Sequence, residues 1–287
     1  MKTADSKKQL IPHLRIFIQS FFFLFFLLLF WRVSFPFTED ITKNFFFNLD
    51  PLILLGLVLS GSLVLTALLI SFVTVMATVV FGRFFCGWVC PMGSIFDFSA
   101  LFIPERKMGG TYGKGRYKNG KYYILAFFVF GSLFGLTFTL FLDPLVFFFR
   151  VLTLNIYPPV IHAVNSLLDF FRPAALSLGF TEISMLSFKQ PAFVLSFFSL
   201  LLFLGTLALI SVERRFWCRN ICPLGALLSV LARYSPWGRK VSDSCIGCSK
   251  CAKTCPMNAI GETYIETSAH ECIQCKRCER VCPVNAI

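Results

Sequence analysis

Residues 245–256 read CIGCSKCAKTCP, and residues 272–283 read CIQCKRCERVCP. The eight cysteines of these two stretches share one spacing, C-x2-C-x2-C-x3-C-P, and the second copy begins 27 residues after the first. The residues that follow also repeat, since Pro-Met-Asn-Ala-Ile ends the first copy and Pro-Val-Asn-Ala-Ile ends the second. An internal duplication of this length indicates two copies of one small cofactor-binding unit.

The spacing is typical of two [4Fe–4S] clusters in which the fourth cysteine of each run binds the other cluster. The expected ligands are Cys245, Cys248, Cys251 and Cys282 for one cluster, and Cys272, Cys275, Cys278 and Cys255 for the second. Zinc is an alternative, because it also takes four cysteines, but zinc sites usually use two separated C-x2-C pairs. A disulfide framework fits less well, because thiols that bind iron stay reduced, and this favours a cytoplasmic location.

Composition places the rest of the chain in a lipid bilayer. Of the 287 residues, 56% are hydrophobic, 37 are phenylalanine and only 15% are charged. A membrane-spanning helix needs about 20 apolar residues. Four stretches meet this length: Leu14–Phe35, Pro51–Phe81, Tyr122–Leu142 and Pro191–Val212. Basic residues precede the first stretch, but no small-residue cleavage site follows it, so we expect an uncleaved anchor rather than a signal peptide.

The distribution of Lys and Arg predicts the orientation of these spans, since basic residues concentrate on the cytoplasmic side. The N-terminal tail, the connection between spans two and three, and the region after span four hold 22 of the 27 basic residues. We therefore expect a multi-pass protein of a bacterial cytoplasmic (inner) membrane, with both termini and the cysteine runs on the cytoplasmic face. The net charge of +12 is then a topology signal, and we expect lipid rather than nucleic acid as the partner of the basic stretch Met108–Lys121.

These features predict a mostly α protein with two domains. Residues 1–235 form a four-helix transmembrane domain built from two related hairpins, and residues 236–287 form a small α+β ferredoxin domain with two clusters. Arg150, Pro158–Pro159 and Pro173 interrupt the ambiguous segment Pro144–Lys189. We expect helices lying at the outer interface there rather than a fifth crossing.

The remaining four cysteines form a second duplication. The sequence RFFCGWVCPMG at 83–93 matches RFWCRNICPLG at 215–225, so a C-x3-C-P motif follows spans two and four. The four cysteines of these motifs are Cys86, Cys90, Cys218 and Cys222. If pseudo-symmetry brings the pairs together, they provide four thiols around one point. A further metal or iron–sulfur centre, redox-active dithiols and buried packing thiols all remain open.

Together, the two C-x3-C-P motifs after spans two and four and the C-terminal cluster runs resemble NapH, the membrane ferredoxin component of periplasmic nitrate reductase systems. The membrane core of NosR, from the nitrous-oxide reductase system, is similar. The resemblance covers nearly the whole chain. It implies electron transfer between the quinone pool or a cytoplasmic donor and a partner redox protein, and it leaves open whether the chain is the membrane component of a quinol dehydrogenase.

Two other functions remain alternatives: a metal reductase that assists oxidase assembly, and a redox sensor. Haem is not expected, because His13, His162 and His270 all lie outside the predicted spans and no C-x-x-C-H motif is present. The sequence does not reveal a quinone site. Asp143, followed by Pro144 at the outer end of span three, is the carboxylate to examine as a proton-handling group, although a polar helix end is the simpler interpretation.

Overall fold

The computed structural model describes residues 2–32, 45–61, 65–103, 119–135, 139–177 and 193–287. Within these residues the chain is helical and contains no β-strand, although one isolated antiparallel bridge pairs Ile260 with Thr267. The α+β prediction for the C-terminal module is therefore wrong in its β part. The reason is local, because Gly261 N bonds Glu266 O and Ser268 N bonds Ala259 O, and this tight turn leaves room for a single bridge.

The chain divides into two compact units, which are residues 1–146 with 207–287, and residues 147–206. The first unit holds all twelve cysteines. The predicted domain boundary between residues 235 and 236 stays a prediction.

The first unit begins with five helices before the first C-x3-C-P motif is complete. These are α1 (Lys2–Arg32), α2 (Phe45–Asn48), α3 (Pro51–Leu59), α4 (Leu65–Phe81) and α5 (Phe84–Trp88). They are followed by α6 (Pro91–Ser99), α7 (Gly120–Leu133), α8 (Thr139–Leu142) and α9 (Pro144–Val151), the last of which continues into the second unit.

The second unit contains a π-helical turn (Leu152–Ile156), α10 (Tyr157–Ser177) and most of α11 (Ser196–Ala208). The chain then returns to the first unit through a 3-10 turn (Leu209–Ser211), α12 (Phe216–Asn220) and α13 (Pro223–Ala232). The C-terminal module contains α14 (Lys250–Thr254), a 3-10 turn (Ala269–Glu271) and α15 (Arg277–Val281).

The two C-x3-C-P motifs occupy equivalent positions in the fold. Helix α1 packs against α5 and α6, and helix α7 packs against α12 and α13 in the same way. Each copy of the motif therefore forms a pair of short helices that packs against a longer helix, α1 for the first copy and α7 for the second.

Two of the four predicted spans are divided by a turn, and the described part of a third, the fourth span, ends in a 3-10 turn. The stretch Pro51–Phe81 is divided into α3 and α4 at Ser60–Gly61, where Gly61 adopts a φ of +80° that ends the helix. The stretch Tyr122–Leu142 is similarly divided after Leu133, near Gly135 with a φ of +73°. Hydropathy shows only that a segment is apolar, and it misses a turn made by one glycine.

Parts of the sequence predictions lie outside the described residues. They are the end of the first span at Phe35, the beginning of the fourth at Pro191, and most of the basic stretch Met108–Lys121. The described part of the fourth span forms α11 and the following 3-10 turn.

The segment after Asp143, where we expect helices at the outer interface, forms one helical stretch at Pro144–Pro173 in spite of its prolines. Its position relative to a membrane stays a prediction. A proline ring clashes with the carbonyl four residues earlier, so Pro158 and Pro159 would strike the carbonyls of Leu154 and Asn155. Both of these residues lie in the π-helical turn, whose i→i+5 hydrogen bonding widens the helix beside the diproline.

Two helical stretches among the described residues are long and apolar enough to cross a membrane, His13–Arg32 and Pro144–Pro173. Helix α1 also exposes a row of large apolar side chains, among them Phe17, Phe21 and Leu24, which are 57–70% exposed. A stripe of this kind is typical of a surface that meets lipid or a partner. These features favour association with a membrane.

Candidate functional site

The two cysteine runs of the C-terminal module fold as structural repeats. Three residues of the first run, Gly247, Ser249 and Asn258, have positive φ angles of 65°, 58° and 48°. Their counterparts 27 residues later, Gln274, Lys276 and Asn285, have φ angles of 53°, 57° and 55°. The short helices α14 and α15, which follow the two loops, pack against each other.

Two small cavities lie in this module, and each is lined by four cysteines. Cys245, Cys248, Cys251 and Cys282 line one cavity. Cys255, Cys272, Cys275 and Cys278 line the other. In each cavity, three cysteines come from one run and the fourth comes from the other run.

The donors around these sulfurs suit thiolate ligands. The amide of Ala259 donates to Cys255 Sγ at 3.4 Å, and the amide of Ala286 donates to Cys282 Sγ at 3.3 Å. Arg239 Nη2 donates to Cys251 Sγ at 3.4 Å. Hydrogen bonds of this type stabilise sulfur that carries negative charge and tune the potential of a cluster.

Without a metal these thiols hold their protons. Burial, together with the neighbouring cysteines, raises the pKa of Cys272 to about 11 and the pKa of Cys278 to about 12. A cation must therefore replace the protons before the sulfurs become thiolates. Among the described residues, no three His, Cys, Asp or Glu side chains converge closely enough to hold a single metal ion. The four-cysteine cavities fit the [4Fe–4S] group that the spacing predicts.

The two cysteines of each C-x3-C-P motif lie in different helices. Cys86 lies in α5, the chain turns at Val89, and Cys90 begins α6 as its N-cap residue. Cys218 in α12 and Cys222 at the start of α13 repeat this geometry. The proline after each second cysteine stops the first helix and starts the next one.

The four thiols of these motifs are nevertheless gathered in one buried place. Each of the four residues is only 3–7% exposed. Burial raises the pKa of Cys222, and the nearby sulfurs of Cys218, Cys86 and Cys90 raise it further. Gly225 N donates to Cys222 Sγ at 3.2 Å. Four buried thiols this close to one another would repel as thiolates, so an electropositive group is needed before they can lose their protons together.

Two arginines cross between the motifs. Arg83, which precedes the first motif, donates from Nη2 to the carbonyl of Cys218 at 3.3 Å. Arg215, which precedes the second, donates from Nη1 to the carbonyl of Cys86 at 2.8 Å. Both side chains are almost completely buried. Each motif is therefore held in place by the guanidinium of the other.

One buried carboxylate neutralises each arginine. Glu271, beside the cluster cysteine Cys272, accepts from Arg83 at 2.8 Å and from Lys121 at 2.5 Å. Burial lowers the pKa of Lys121 to about 8; Arg83 also lowers it, and Glu271 opposes both. The second carboxylate is Asp97, which pairs with Arg215. Burial raises the pKa of Asp97, but the arginines around it outweigh this effect and lower the pKa.

Asp97 is the centre of the second charge cluster. Its oxygens accept from Arg215 at 2.7 Å, from Arg15 at 2.5 Å and from Arg277 at 3.3 Å. Arg15 belongs to α1 and Arg277 to the C-terminal module, so one carboxylate joins three parts of the first unit. Sequence reasoning missed Asp97 and Glu271, and the only available signal was the repeated arginine before each motif.

The first C-x3-C-P loop also contacts the cluster loop directly. A Cβ atom at Gly87 would lie 2.3 Å from the carbonyl oxygen of Ile273, which follows Cys272. Trp88 Nε1 donates to the carbonyl of Gln274 at 3.2 Å. The absence of a side chain at residue 87 therefore permits backbone contact between the two cysteine-bearing loops.

A groove of about 720 Å³ lies between α1, α6 and the C-terminal module. Its wall includes the cluster cysteine Cys275, apolar residues such as Phe23, and four arginines, which are Arg15, Arg214, Arg277 and Arg280. Such a volume lies within the usual range for small-molecule sites. This groove could not be predicted from the sequence, because its residues come from segments that are far apart along the chain.

His270 and Asp143, which the sequence analysis also singled out, line neither four-cysteine cavity. Burial lowers the pKa of His270, with Glu271 acting against it. Asp143 is fully buried and caps the start of α9, where its Oδ1 accepts from Leu145 N at 2.8 Å.

Comparison with protein families agrees with this geometry. A family described as a 4Fe-4S binding domain matches residues 51–109 and 195–242, which include both C-x3-C-P motifs. A family described as a 4Fe-4S dicluster domain matches residues 244–287.

Curated relatives are more distant. The chain is 28% identical over 204 residues to a putative electron transport protein, YccM, of Escherichia coli, covering 66% of this chain and 45% of the relative. It is 26% identical over 214 residues to the methylamine utilization ferredoxin-type protein MauN of Methylobacillus flagellatus, covering 72% and 60%. An uncharacterised protein of Methanocaldococcus jannaschii is 27% identical over 199 residues, covering 69% and 61%. The matches thus span about half to three-fifths of these relatives, and no solved structure matches the chain.

The chain therefore carries 4Fe–4S ferredoxin-type domains. With relatives named for electron transport and as ferredoxin-type proteins, these domains indicate an iron–sulfur electron-transfer protein.

Proposed function

We propose that the protein is an integral-membrane carrier that exchanges electrons between the quinone pool and a partner redox protein, and that quinol binds in the groove beside Cys275. Four crossings with both termini on the cytoplasmic face of a bacterial inner membrane belong to this proposal. The concentration of 22 of the 27 basic residues in three segments supports that topology.

The observation that carries the proposal is the position of Cys275, which lines both a four-cysteine cavity and the groove. When bound, [4Fe–4S] clusters supply one-electron carriers. A ligand in the groove would therefore lie against a cysteine that holds the redox group, and no intervening protein layer would separate the two.

The lining of the groove is partly polar and partly apolar, as a quinone is. Arg15 and Arg277 provide hydrogen-bond donors, while Phe23, Leu24 and Leu101 provide an apolar wall. A quinone combines carbonyl oxygens that accept hydrogen bonds with an apolar tail, so both surfaces would be used. Helix α1, which supplies part of the wall, is also a candidate membrane span, and a lipid-soluble ligand would reach the groove from the bilayer.

The test is reduction of the anaerobically purified protein in proteoliposomes by a short-chain quinol, followed by visible absorbance and spin resonance. We expect quinol to reduce the iron–sulfur signal, and we expect Ser94→Phe, which fills the groove, to slow this reduction at least tenfold. Ser99→Phe is the matched control, because Ser99 lies on the same helix and does not line the groove.

Dithionite should reduce all three proteins at similar rates. Reduction by dithionite but not by quinol in the unmodified protein would contradict the proposal and leave a cytoplasmic donor as the source of electrons. Equal quinol rates in both phenylalanine variants would contradict only the groove as the binding site.

We include in the proposal a further iron–sulfur or metal centre at Cys86, Cys90, Cys218 and Cys222. The match of the 4Fe-4S binding domain to both motifs supports it, as do the two buried guanidiniums that offset thiolate charge. Iron and sulfide analysis should give more than the roughly eight irons of two [4Fe–4S] clusters, or another metal in fixed ratio. Cys86→Ser should lose that excess, and a count of about eight irons and no other metal would exclude the centre.

A further inference from the structure

Two aspartates far from the cysteines share an unusual environment. Asp50 and Asp143 are each followed by Pro-Leu, and both side chains are completely buried. Each begins a helix, with Asp50 Oδ1 accepting from Leu52 N at 2.8 Å and Asp143 Oδ1 accepting from Leu145 N at 2.8 Å. One oxygen of each carboxyl group is therefore used as a helix cap.

The second oxygen of each group has no ordinary donor. Oδ2 of Asp50 and Oδ2 of Asp143 are buried, and no hydrogen-bond donor of the described residues reaches either one. The two carboxyl groups instead lie close enough to interact with each other. The packing of α3 against α8, which ends immediately before Asp143, brings them together.

No described cation compensates this pair. Four helices pack against α3 or α4 and carry no Asp, Glu, His, Lys or Arg. They are α2, α4, α8 and α13. Helix α7 carries three ionisable side chains: Lys121 pairs with Glu271, Tyr122 bonds Ser229, and Tyr123 is 73% exposed. Arg150 lies about 10 Å further along the helix that Asp143 begins.

Two carboxylate oxygens are both acceptors, so they form a hydrogen bond only when a proton lies between them. Two adjacent anions without a cation would also repel each other in a place that water does not reach. We propose that Asp50 and Asp143 form a proton-binding site that holds one proton between the two carboxyl groups at neutral pH. The pair then carries one net negative charge and forms one strong hydrogen bond.

The same proton links two helix starts. While it is bound, the caps of α3 and α9 are tied together through the carboxyl pair. When it is lost, the two anions repel and the helix starts separate. The site is thus a buried proton store that senses alkaline conditions, and it does not depend on the electron-transfer proposal.

Infrared spectroscopy of the full-length protein tests this inference. We expect a protonated-carboxyl stretching band at neutral pH that shifts in deuterium oxide and with carbon-13 aspartate. The band should disappear in the double variant Asp50→Asn with Asp143→Asn, because asparagine keeps both helix caps but carries no titratable proton. Asp169→Asn is the matched control, since the Asp169 side chain is 62% exposed and pairs with Arg172, and the band should persist there.

A second measurement follows the band and the melting temperature as the pH is raised. Both should fall together in the unmodified protein, and the melting temperature of the double asparagine variant should not share that alkaline fall. Absence of any aspartate band at neutral pH in the unmodified, isotope-labelled protein would overturn the proposal, whether or not the variants fold. Persistence of the band in a folded double variant would overturn it as well.

Discussion

The two C-x3-C-P loops share one sequence pattern but contact different partners. In the first loop, Gly87 and Trp88 contact the cluster loop of the C-terminal module at Ile273 and Gln274. In the second loop, the equivalent of Gly87 is Arg219, a buried side chain whose guanidinium pairs with Glu213 at 2.7 Å. The loops share their cysteines, their proline and the crossing arginine, but only one has a surface on which another backbone can lie.

The helices that follow the loops show the same contrast. Asp97 in α6 carries a negative charge among three arginines. The equivalent residue in α13 is the uncharged Ser229, which hydrogen-bonds Tyr122 at 2.8 Å. In the second half the acid comes instead from Glu271 of the C-terminal module. The two halves share the thiols and the crossed arginines, but the carboxylate beside each arginine comes from a different part of the first unit.

The largest expected effect comes from removing the charge at Asp97. Asp97→Asn leaves Arg15 and Arg215 buried without a carboxylate, and breaking a buried ion pair in this way costs about 3–5 kcal/mol. We expect a clear fall in the melting temperature of the purified protein in detergent, with loss of the iron–sulfur absorbance at lower temperature than in the unmodified protein.

Ser229→Ala is the control at the equivalent position. It removes one hydrogen bond to Tyr122 and should cost about 1 kcal/mol. If Asp97→Asn and Ser229→Ala lowered the stability equally, the charge of Asp97 would not contribute to the free energy of unfolding.

The second prediction concerns the glycine that separates the two loops. Gly87→Ala places a methyl group against the Ile273 carbonyl, where the backbone must move, and overpacking of this kind costs about 1–3 kcal/mol. Hydrogen exchange should become faster at residues 272–278, because the cluster loop is pushed away. Gly205→Ala has nothing within 4 Å of its added methyl group and should leave that exchange unchanged; a normal pattern in both variants would refute the contact.

The smallest effect is expected at the tryptophan beside that glycine. Trp88→Phe keeps an aromatic ring but loses the hydrogen bond from Nε1 to the Gln274 carbonyl, which is worth about 1 kcal/mol. The melting temperature should fall slightly. Trp237→Phe is a suitable comparison because Trp237 is 55% exposed and its ring contact with Phe81 survives the change, so a larger loss there would argue against the role of Trp88.

The cysteine sites were predictable because their information is local. Eight cysteines at a fixed spacing determine which loops carry the ligands, and the repeated positive φ angles follow from the same local sequence. The crossing arginines were visible as repeated residues, but their partners were not. Arg83 meets Glu271 across 188 positions and Arg215 meets Asp97 across 118, and no single sequence reveals such long-range pairing.

The helices were predicted less well for a different reason. Hydropathy identifies apolar segments, but the bounds of a helix depend on backbone conformation at one or two residues. Gly61 divides the second predicted span, while Pro158 and Pro159 fail to divide the segment in which they lie because a π-helical turn precedes them. The four-crossing topology stays a prediction.

The crossed arginine has a consequence for biosynthesis. Arg83 is synthesised 135 residues before Cys218 and 188 residues before Glu271. At about 5–20 residues per second, its guanidinium waits roughly ten to forty seconds for its acid. The early half of the chain therefore cannot reach its final packing until the C-terminal module has been synthesised.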